Sequence, residues 1–138
     1  MKKWMFAAFA LLVFTTFTAC SKYTTPKKVS RKVVGDAWVI KSLSLANDTL
    51  VSSDFVGFEF SFEDDNDFKV TYLTLPLAAG KWSTALDKDP AILYLNLPIE
   101  PMLDFLSDDW KVMQIKKDFM RLERNDDAEV KDIIEFTR

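Results

Sequence analysis

The stretch FEFSF at residues 58–62 places an aromatic side chain at every second position and a polar side chain between them. Successive side chains of a β-strand point to opposite faces of the sheet, so this alternation predicts a strand with one buried face and one solvated face. After the acidic run 64–67, the alternation resumes at Phe68, Val70 and Tyr72. Because Asn and Asp tolerate positive φ and bond their own backbone, the run predicts a hairpin turn between two strands.

Strand-like segments continue on both sides of this hairpin. Upstream, residues 36–46 mix apolar and polar side chains and change phase near Ser42, which predicts a first strand interrupted by a β-bulge. Downstream, segments beginning near Gly80, Ala91, Trp110 and Phe119 predict the fourth to the seventh strand. The chain therefore contains at least seven short strands.

The last segment, 126–138, allows two interpretations. Val130, Ile133 and Ile134 have helical spacing, whereas Ile134 and Phe136 alternate with polar residues as in a strand. Seven strands would leave one sheet edge without a partner, so we favour an eighth strand.

Residues 98–107 differ from the strands. Ile99, Met102, Leu103 and Leu106 have the spacing of one helix face, which predicts a short amphipathic helix between strands five and six, over the fifth strand or at one end of the barrel. Eight short strands without repeated crossover helices predict an all-β fold, an eight-stranded up-and-down antiparallel barrel. A Greek-key sandwich is the alternative.

The N-terminus has the pattern of a lipoprotein signal peptide over residues 1–19. Two lysines precede an uncharged stretch that ends in Phe17-Thr18-Ala19-Cys20. This ending resembles a bacterial lipobox, which implies lipid attachment at Cys20 and a place in the cell envelope, on the periplasmic or outer-membrane face of a bacterial membrane. Plain secretion and a retained transmembrane helix are the alternatives, although the apolar stretch is shorter than the ~20 residues that crossing requires.

Residues 20–32 are polar and basic. We predict a flexible tether here, in which Pro26 prevents regular structure. Its cationic side chains favour anionic lipid head groups, and a solvated linker is the alternative interpretation. The folded domain then spans residues 33–138.

The composition excludes several functional classes. Histidine is absent and Cys20 is the only cysteine, which removes imidazole and thiolate zinc sites, most nucleophile–base pairs and intramolecular disulfides. A net charge of −3 gives no support to nucleic-acid binding. The acidic run 64–67 lacks the glycine and glutamate spacing of a calcium loop. We predict a protein that is not an enzyme and holds no cofactor or metal.

Several short motifs together are similar to one family. Gly35 and Trp38, the aromatic strand 58–62, the segment from Gly80 to Trp82 and the strand at Trp110 resemble the lipocalin-like lipoproteins of Bacteroidota. The resemblance covers residues 33–138 and implies a calycin-like β-barrel. It also implies that Gly35 and Trp38 are structural and close one end of the barrel, and that no residue is catalytic.

The sequence is compatible with two functions. An eight-stranded barrel is either filled by side chains or holds one small ligand. We expect a membrane-anchored lipoprotein that binds a small apolar ligand, with a pocket lined by Tyr72, Trp82, Tyr94, Phe58 and Phe60. The alternative is an accessory or inhibitor subunit with a filled core that docks another envelope protein through its loops. Exposed apolar side chains in 73–79 or 98–107 would indicate the alternative.

Overall fold

The computed structural model describes residues 24–85, 90–124 and 129–138; the predicted signal peptide and Cys20 lie outside this part. The elements in chain order are α1 Pro26–Val33, β1 Val39–Ser44, β2 Phe58–Phe62, β3 Asp67–Tyr72, β4 Leu75–Thr84, β5 Ile92–Asn96, β6 Asp109–Ile115, β7 Phe119–Arg124 and β8 Asp132–Thr137. Short 3₁₀ helices occupy Ser52–Phe55 and Asp104–Leu106. The predicted mostly-β class with eight antiparallel strands is confirmed.

The eight strands form one sheet in the order β1-β8-β7-β6-β5-β4-β3-β2. Consecutive strands pair from β2 onward, and β8 pairs with both β7 and β1. The sheet curls so that its two outer strands approach each other. Trp38, immediately before β1, exchanges two backbone hydrogen bonds of 2.8 Å with Phe60 of β2. A single curled sheet is therefore present instead of the two layers of a sandwich.

The interior of the curl is packed with aromatic and aliphatic side chains. The Phe60 ring lies 6.4 Å from the Phe68 ring and 5.5 Å from the Phe136 ring, between centroids. Phe62 meets Trp82 edge-on at 5.9 Å. Burial of each such ring stabilises the fold by roughly 1.5–3 kcal/mol, so the alternation at residues 58–62 identifies part of the core.

Two local predictions are confirmed by the strand register. The pairing of β1 with β8 shifts between Ile40 and Ser42, which is the bulge that the phase change predicted. The ambiguous last segment forms β8, and its Ile134 and Phe136 are buried. This strand lies between β7 and β1 and pairs with both, so it supplies the partner that β7 would otherwise lack.

The predicted helix between strands five and six is wrong. Residues 98–107 contain only the three-residue 3₁₀ helix Asp104–Leu106. Pro98 and Pro101 lack the backbone N–H groups that a continuous helix needs. Leu106 is nevertheless buried, and its carbonyl accepts a hydrogen bond from the Trp110 indole at 3.0 Å. Tertiary contacts therefore decide the shape of this loop.

The α-helix lies instead within residues that were expected to be a tether. The Thr25 side chain accepts a hydrogen bond from the Lys28 N–H at 3.2 Å, and Pro26 follows it at the first helical position. Proline suits this position because its missing N–H has no helical partner there. Pro26 thus begins α1, and the expectation that it prevents regular structure is wrong. Val29 and Val33, one turn apart, are fully buried.

The strand β4 connects the two ends of the curled sheet. It begins beside the turn at residues 73–74, and at its far end Thr84 Oγ1 lies 3.3 Å from Ser30 Oγ of α1. At about 3.3 Å per residue these ends are roughly 30 Å apart. We call the end that carries α1 the helix end and the end at the turn 73–74 the rim end.

Candidate functional site

The structure separates the predicted pocket-lining residues. Phe60 and Trp82 are buried in the interior, and Phe58 is buried near the rim end. Tyr72 has its ring 4.9 Å from that of Phe58 and is 43% exposed. Tyr94 lies on the outer face of β5 and is 39% exposed. Only Phe58 and Tyr72 are therefore brought together where a molecule from solvent can reach them.

Gly35 and Trp38 lie at the helix end. Gly35 has a φ of +115°, a left-handed conformation that favours glycine, and it links α1 to β1. Trp38 is fully buried, and its indole N–H donates to the Val33 carbonyl at 2.8 Å. These two residues connect the helix to the beginning of the sheet.

The rim end carries apolar side chains that face solvent. Ile99 is 92% exposed, Val56 76% and Leu75 69%. These residues come from three different segments of the chain, before β2, at the start of β4 and after β5. We define the apolar rim as the exposed residues Val56, Tyr72, Leu73, Leu75, Leu77, Ile99 and Met102. Four of them, Val56, Tyr72, Leu77 and Met102, line one pocket, and clustered exposed apolar side chains mark interaction sites on soluble proteins.

The hairpin between β3 and β4 holds part of the rim in a specific conformation. Leu73 and Thr74 have φ values of 49° and 70°, which non-glycine residues rarely adopt. The Leu73 N–H donates to the Gly57 carbonyl at 3.0 Å, and a Cβ on Gly57 would lie 2.9 Å from Leu73 Cδ2. The leucine is thus fixed at an unfavourable backbone angle while its side chain faces water. Such strain is typical of functional positions.

A surface pocket of about 600 Å³ lies within the apolar rim. Its apolar walls include Phe58, Tyr72 and Met102, and the acidic residues Asp54 and Glu100 also line it. Pockets for small ligands have volumes of roughly 300–1,000 Å³ and the same mixture of apolar walls and a few polar groups. The rim is therefore suited to hold apolar groups next to a positive charge.

A buried ion pair supports the loop that forms one side of the rim. Arg124 donates to Asp132 at 2.7 Å, to Asp108 at 2.9 Å and to the Phe105 carbonyl at 2.7 Å. Its guanidinium also lies 4.3 Å from the centroid of the Trp110 ring. These contacts attach the loop before β6 to β7 and β8. The contacts of Arg124 are therefore accounted for by the support that they give to this loop.

The described residues contain no group of three or more side chains arranged to hold a metal ion. No helix in the same part of the chain combines the length and apolar character needed to cross a bilayer. Compared with known proteins, the chain matches no protein-family model, no curated protein and no solved structure. The lipocalin-like resemblance therefore stays a prediction.

Proposed function

We propose that this protein is a lipid-anchored, non-enzymatic docking module of the bacterial cell envelope, and that it binds another envelope protein through the apolar rim. The observation that carries the proposal is the assembly of the rim from three separate segments, with Ile99, Val56 and Leu75 largely exposed. The loss of solvent contact by such side chains on association is the main favourable contribution to protein binding.

The packing of the interior supports docking over carriage of a ligand inside the barrel. Trp38, Phe60, Phe68 and Phe136 are fully buried, and the Phe60 and Phe136 rings meet at 5.5 Å. These side chains occupy the space that a carrier of the barrel type leaves for its ligand. The binding surface that this protein offers is consequently at the rim.

The charges at the rim suggest the chemistry of the partner. Asp54 and Glu100 stand beside the apolar pocket, and Asp54 is exposed. Complementary charges at the edge of an interface favour the correct partner and speed association. The proposed partner therefore inserts apolar side chains that are flanked by Lys or Arg.

The proposed anchor fits the position of the rim. The carbonyl of Thr24, four positions after Cys20, accepts a hydrogen bond from the Ala91 N–H at 3.1 Å at the helix end. The rim lies about 30 Å away along β4. A chain held at Cys20 thus presents the rim away from its own membrane.

The architecture that we propose is a closed, lipocalin-like barrel. The two-hydrogen-bond bridge between Trp38 and Phe60 supports closure between β1 and β2. The fully buried Trp38 next to Gly35 supports the resemblance to the lipocalin-like lipoproteins, in which a tryptophan closes one end.

A small apolar ligand is the second candidate for the rim. The contact between Phe58 and Tyr72 and the pocket volume of about 600 Å³ favour it. In this case a fluorescent fatty acid binds saturably to the purified full chain, and Tyr72→Ala weakens the binding.

Site-specific photo-crosslinking in intact cells tests the docking function. A photo-reactive residue at Leu73 should give one crosslinked species, whereas the same residue at Tyr94, on the outer face of β5, should give none. Mass spectrometry of the crosslinked partner peptide should find apolar residues flanked by Lys or Arg.

A pair of double variants provides the matched control for capture of that partner. Leu73→Ser with Leu75→Ser should lower capture at least tenfold, because interface anchors dominate binding energy. Tyr94→Ser with Met113→Ser removes exposed apolar side chains from β5 and β6 and should leave capture unchanged. Equal capture by the two double variants would contradict the proposal. Mass spectrometry of the N-terminal peptide separately reads acylation of Cys20.

A further inference from the structure

We infer that the helix end is a membrane-contact surface for anionic lipid head groups, formed by the basic face of α1 and the turn between β6 and β7. The inference uses the proposed anchor only to bring this end to the bilayer. It extends the proposed function because it assigns the opposite end of the molecule to the membrane.

The first half of this surface is α1. Lys27 and Arg31, four positions apart, are exposed on one face, while Val29 and Val33 are buried against the sheet. Residues four apart in a helix are neighbours on its surface. The packing of the two valines therefore fixes the direction in which the two charges point.

The second half is the turn at residues 116–118. Lys116 and Lys117 are exposed there. Arg138 joins this turn to α1, because its guanidinium donates to the Lys117 carbonyl at 2.6 Å and to the Lys32 carbonyl at 2.8 Å. One side chain thus brings the two basic segments, which are distant in sequence, to the same end of the fold.

Within the described residues, the basic side chains of this surface have no carboxylate paired with them. Six basic side chains lie on it, those of Lys27, Lys28, Arg31, Lys32, Lys116 and Lys117. In the part of the chain that the structure describes, none of the six forms an ion pair. Asp36 and Asp118 are the acidic residues of the same segments, 26–36 and 116–118. These two segments therefore carry more positive than negative charge, and Asp64 and Asp65 stand apart from them at the tip of the β2–β3 hairpin, beside Trp82 at the same end.

Five basic residues elsewhere in the fold form ion pairs with carboxylates. Lys69 pairs with Glu63, Lys81 with Asp67, and Lys131 with Glu123. Arg121 and Arg124 also pair with carboxylates, as shown by their N···O distances of 3.7 Å and 2.7 Å to Glu135 and Asp132. The concentration of unpaired positive charge at the helix end is thus a local feature of an otherwise acidic chain, whose net charge is −3.

The location of the basic surface close to Cys20 favours a lipid surface over other polyanions as its ligand. Cys20 precedes Thr24 by four residues, which an extended chain spans in about 14 Å. The positive surface therefore starts within reach of the membrane that holds the chain. Each Lys or Arg near an anionic bilayer strengthens its attraction by about 1 kcal/mol, roughly fivefold in the equilibrium constant.

The test uses the full chain with Cys20→Ala, reconstituted through its N-terminal apolar stretch into phosphatidylcholine vesicles with or without phosphatidylglycerol. A fluorophore is attached at Asp118→Cys or, in a second sample, at Leu73→Cys. Quenching by a spin label on the lipid head groups reports proximity to the membrane surface.

The expected result is strong quenching at position 118 that requires phosphatidylglycerol, with weak quenching at position 73. Raising the salt from about 0.1 M to about 1 M shortens the Debye length from about 10 Å to about 3 Å, so the quenching should fall. Equal quenching at position 118 with and without phosphatidylglycerol would overturn the inference. Stronger quenching at position 73 would do the same.

Two double variants remove the same charge from different places. The quenching at position 118 gives the ratio of protein whose helix end contacts the bilayer to protein whose helix end does not. Lys27→Gln with Arg31→Gln should lower this ratio roughly 25-fold, at about fivefold for each charge. Lys69→Gln with Lys131→Gln should change it less than about twofold, because both lysines lie outside the two basic segments and already pair with carboxylates, those of Glu63 and Glu123. An equal loss of membrane contact in both double variants would show that the net charge of the protein, and not the helix end, attracts the bilayer, which would overturn the inference. Because this chain carries no lipid, failed acylation of wild-type Cys20 would refute the anchor without changing this result.

Discussion

The Arg138 guanidinium lies 4.1 Å from the centroid of the Trp38 ring, so the last residue of the chain covers the residue that precedes β1. The same guanidinium donates to the carbonyls of Lys32 and Val34 at 2.8 Å and 3.1 Å. The last carbonyls of a helix have no helical partner. Arg138 therefore satisfies the C-terminus of α1 while it also packs on the indole.

Replacement of Arg138 by methionine should lower the free energy of unfolding by about 2 kcal/mol. The variant keeps the apolar stem and loses the charged hydrogen bonds, which contribute about 1.5–3 kcal/mol when partly buried. Urea denaturation of the full chain measures the change. Lys69→Met is the control, because its half-exposed ion pair with Glu63 should contribute under about 1 kcal/mol. A loss as large in the control would contradict the capping role.

The helix α1 should unfold together with the sheet. Val33→Ala leaves a cavity under a fully buried side chain and should lower the free energy of unfolding by about 2 kcal/mol. Arg31→Ala, on the exposed face of the same helix, should change it by less than about 0.5 kcal/mol. If Val33→Ala has no effect in the same denaturation experiment, α1 contributes nothing to the folded unit.

Gly80 should tolerate no larger side chain. A Cβ at this position would lie 2.9 Å from the Asn96 carbonyl carbon and 3.0 Å from Leu97 Cα, both of which are backbone atoms. Gly80→Ala should therefore force β4 and β5 apart. Such overpacking lowers the free energy of unfolding by about 1–3 kcal/mol, so the melting temperature should fall. Ala79→Ser, at the neighbouring exposed position, should leave the melting temperature within a few degrees of the wild type. A Gly80→Ala chain that melts with the control would refute the close approach.

The hydrogen bond from Lys81 lowers the pKa of Asp67 below its ordinary value, and the charges of Lys81 and Lys69 act in the same direction. Lys81→Gln should raise this pKa toward the ordinary value, and Lys69→Gln should raise it less. NMR titration of the Asp67 carboxyl gives both values. An equal rise in the two variants would contradict the assigned cause.

The sign of the pH effect follows from the lowered pKa of Asp67. A carboxyl whose pKa is lower in the folded state stabilises the fold above its unfolded pKa, near about pH 4, and loses this contribution as the pH falls further. The stability difference between the wild type and Lys81→Gln should therefore narrow below about pH 4. Urea denaturation of both proteins at a series of acidic pH values measures this difference.

The first seven strands were predictable because alternation of apolar and polar residues is a local property of the chain, whereas the eighth was favoured only because seven strands leave a sheet edge open. The clearest case is β2, in which every second residue is buried as its alternation predicts. The start of β4 at Leu75 was missed, since the strand was predicted to begin near Gly80 and the turn before it uses Leu73 and Thr74 at positive φ in place of glycine. Pro76 is accommodated where the register of β3 and β4 shifts.

The candidate site was only partly predictable. Phe58 and Tyr72 were identified as lining residues from their alternation, and segments 73–79 and 98–107 were named as the places where exposed apolar residues would indicate docking. Exposure itself depends on which segments meet in space. Leu75 and Leu95 are both leucines within strands, yet the side chain of Leu75 is 69% exposed and that of Leu95 is buried.

By itself the sequence determined the first seven strands, the hairpin at 64–67 and the bulge near Ser42, because these depend on neighbouring residues. Only the tertiary structure decided where α1 lies, which apolar side chains form the rim, and that Arg138 joins the basic segments. An eight-residue helix is marginal alone, so α1 requires the burial of Val29 and Val33. The rim and the helix end join residues far apart in the chain, and their proximity arises from the curl of the sheet.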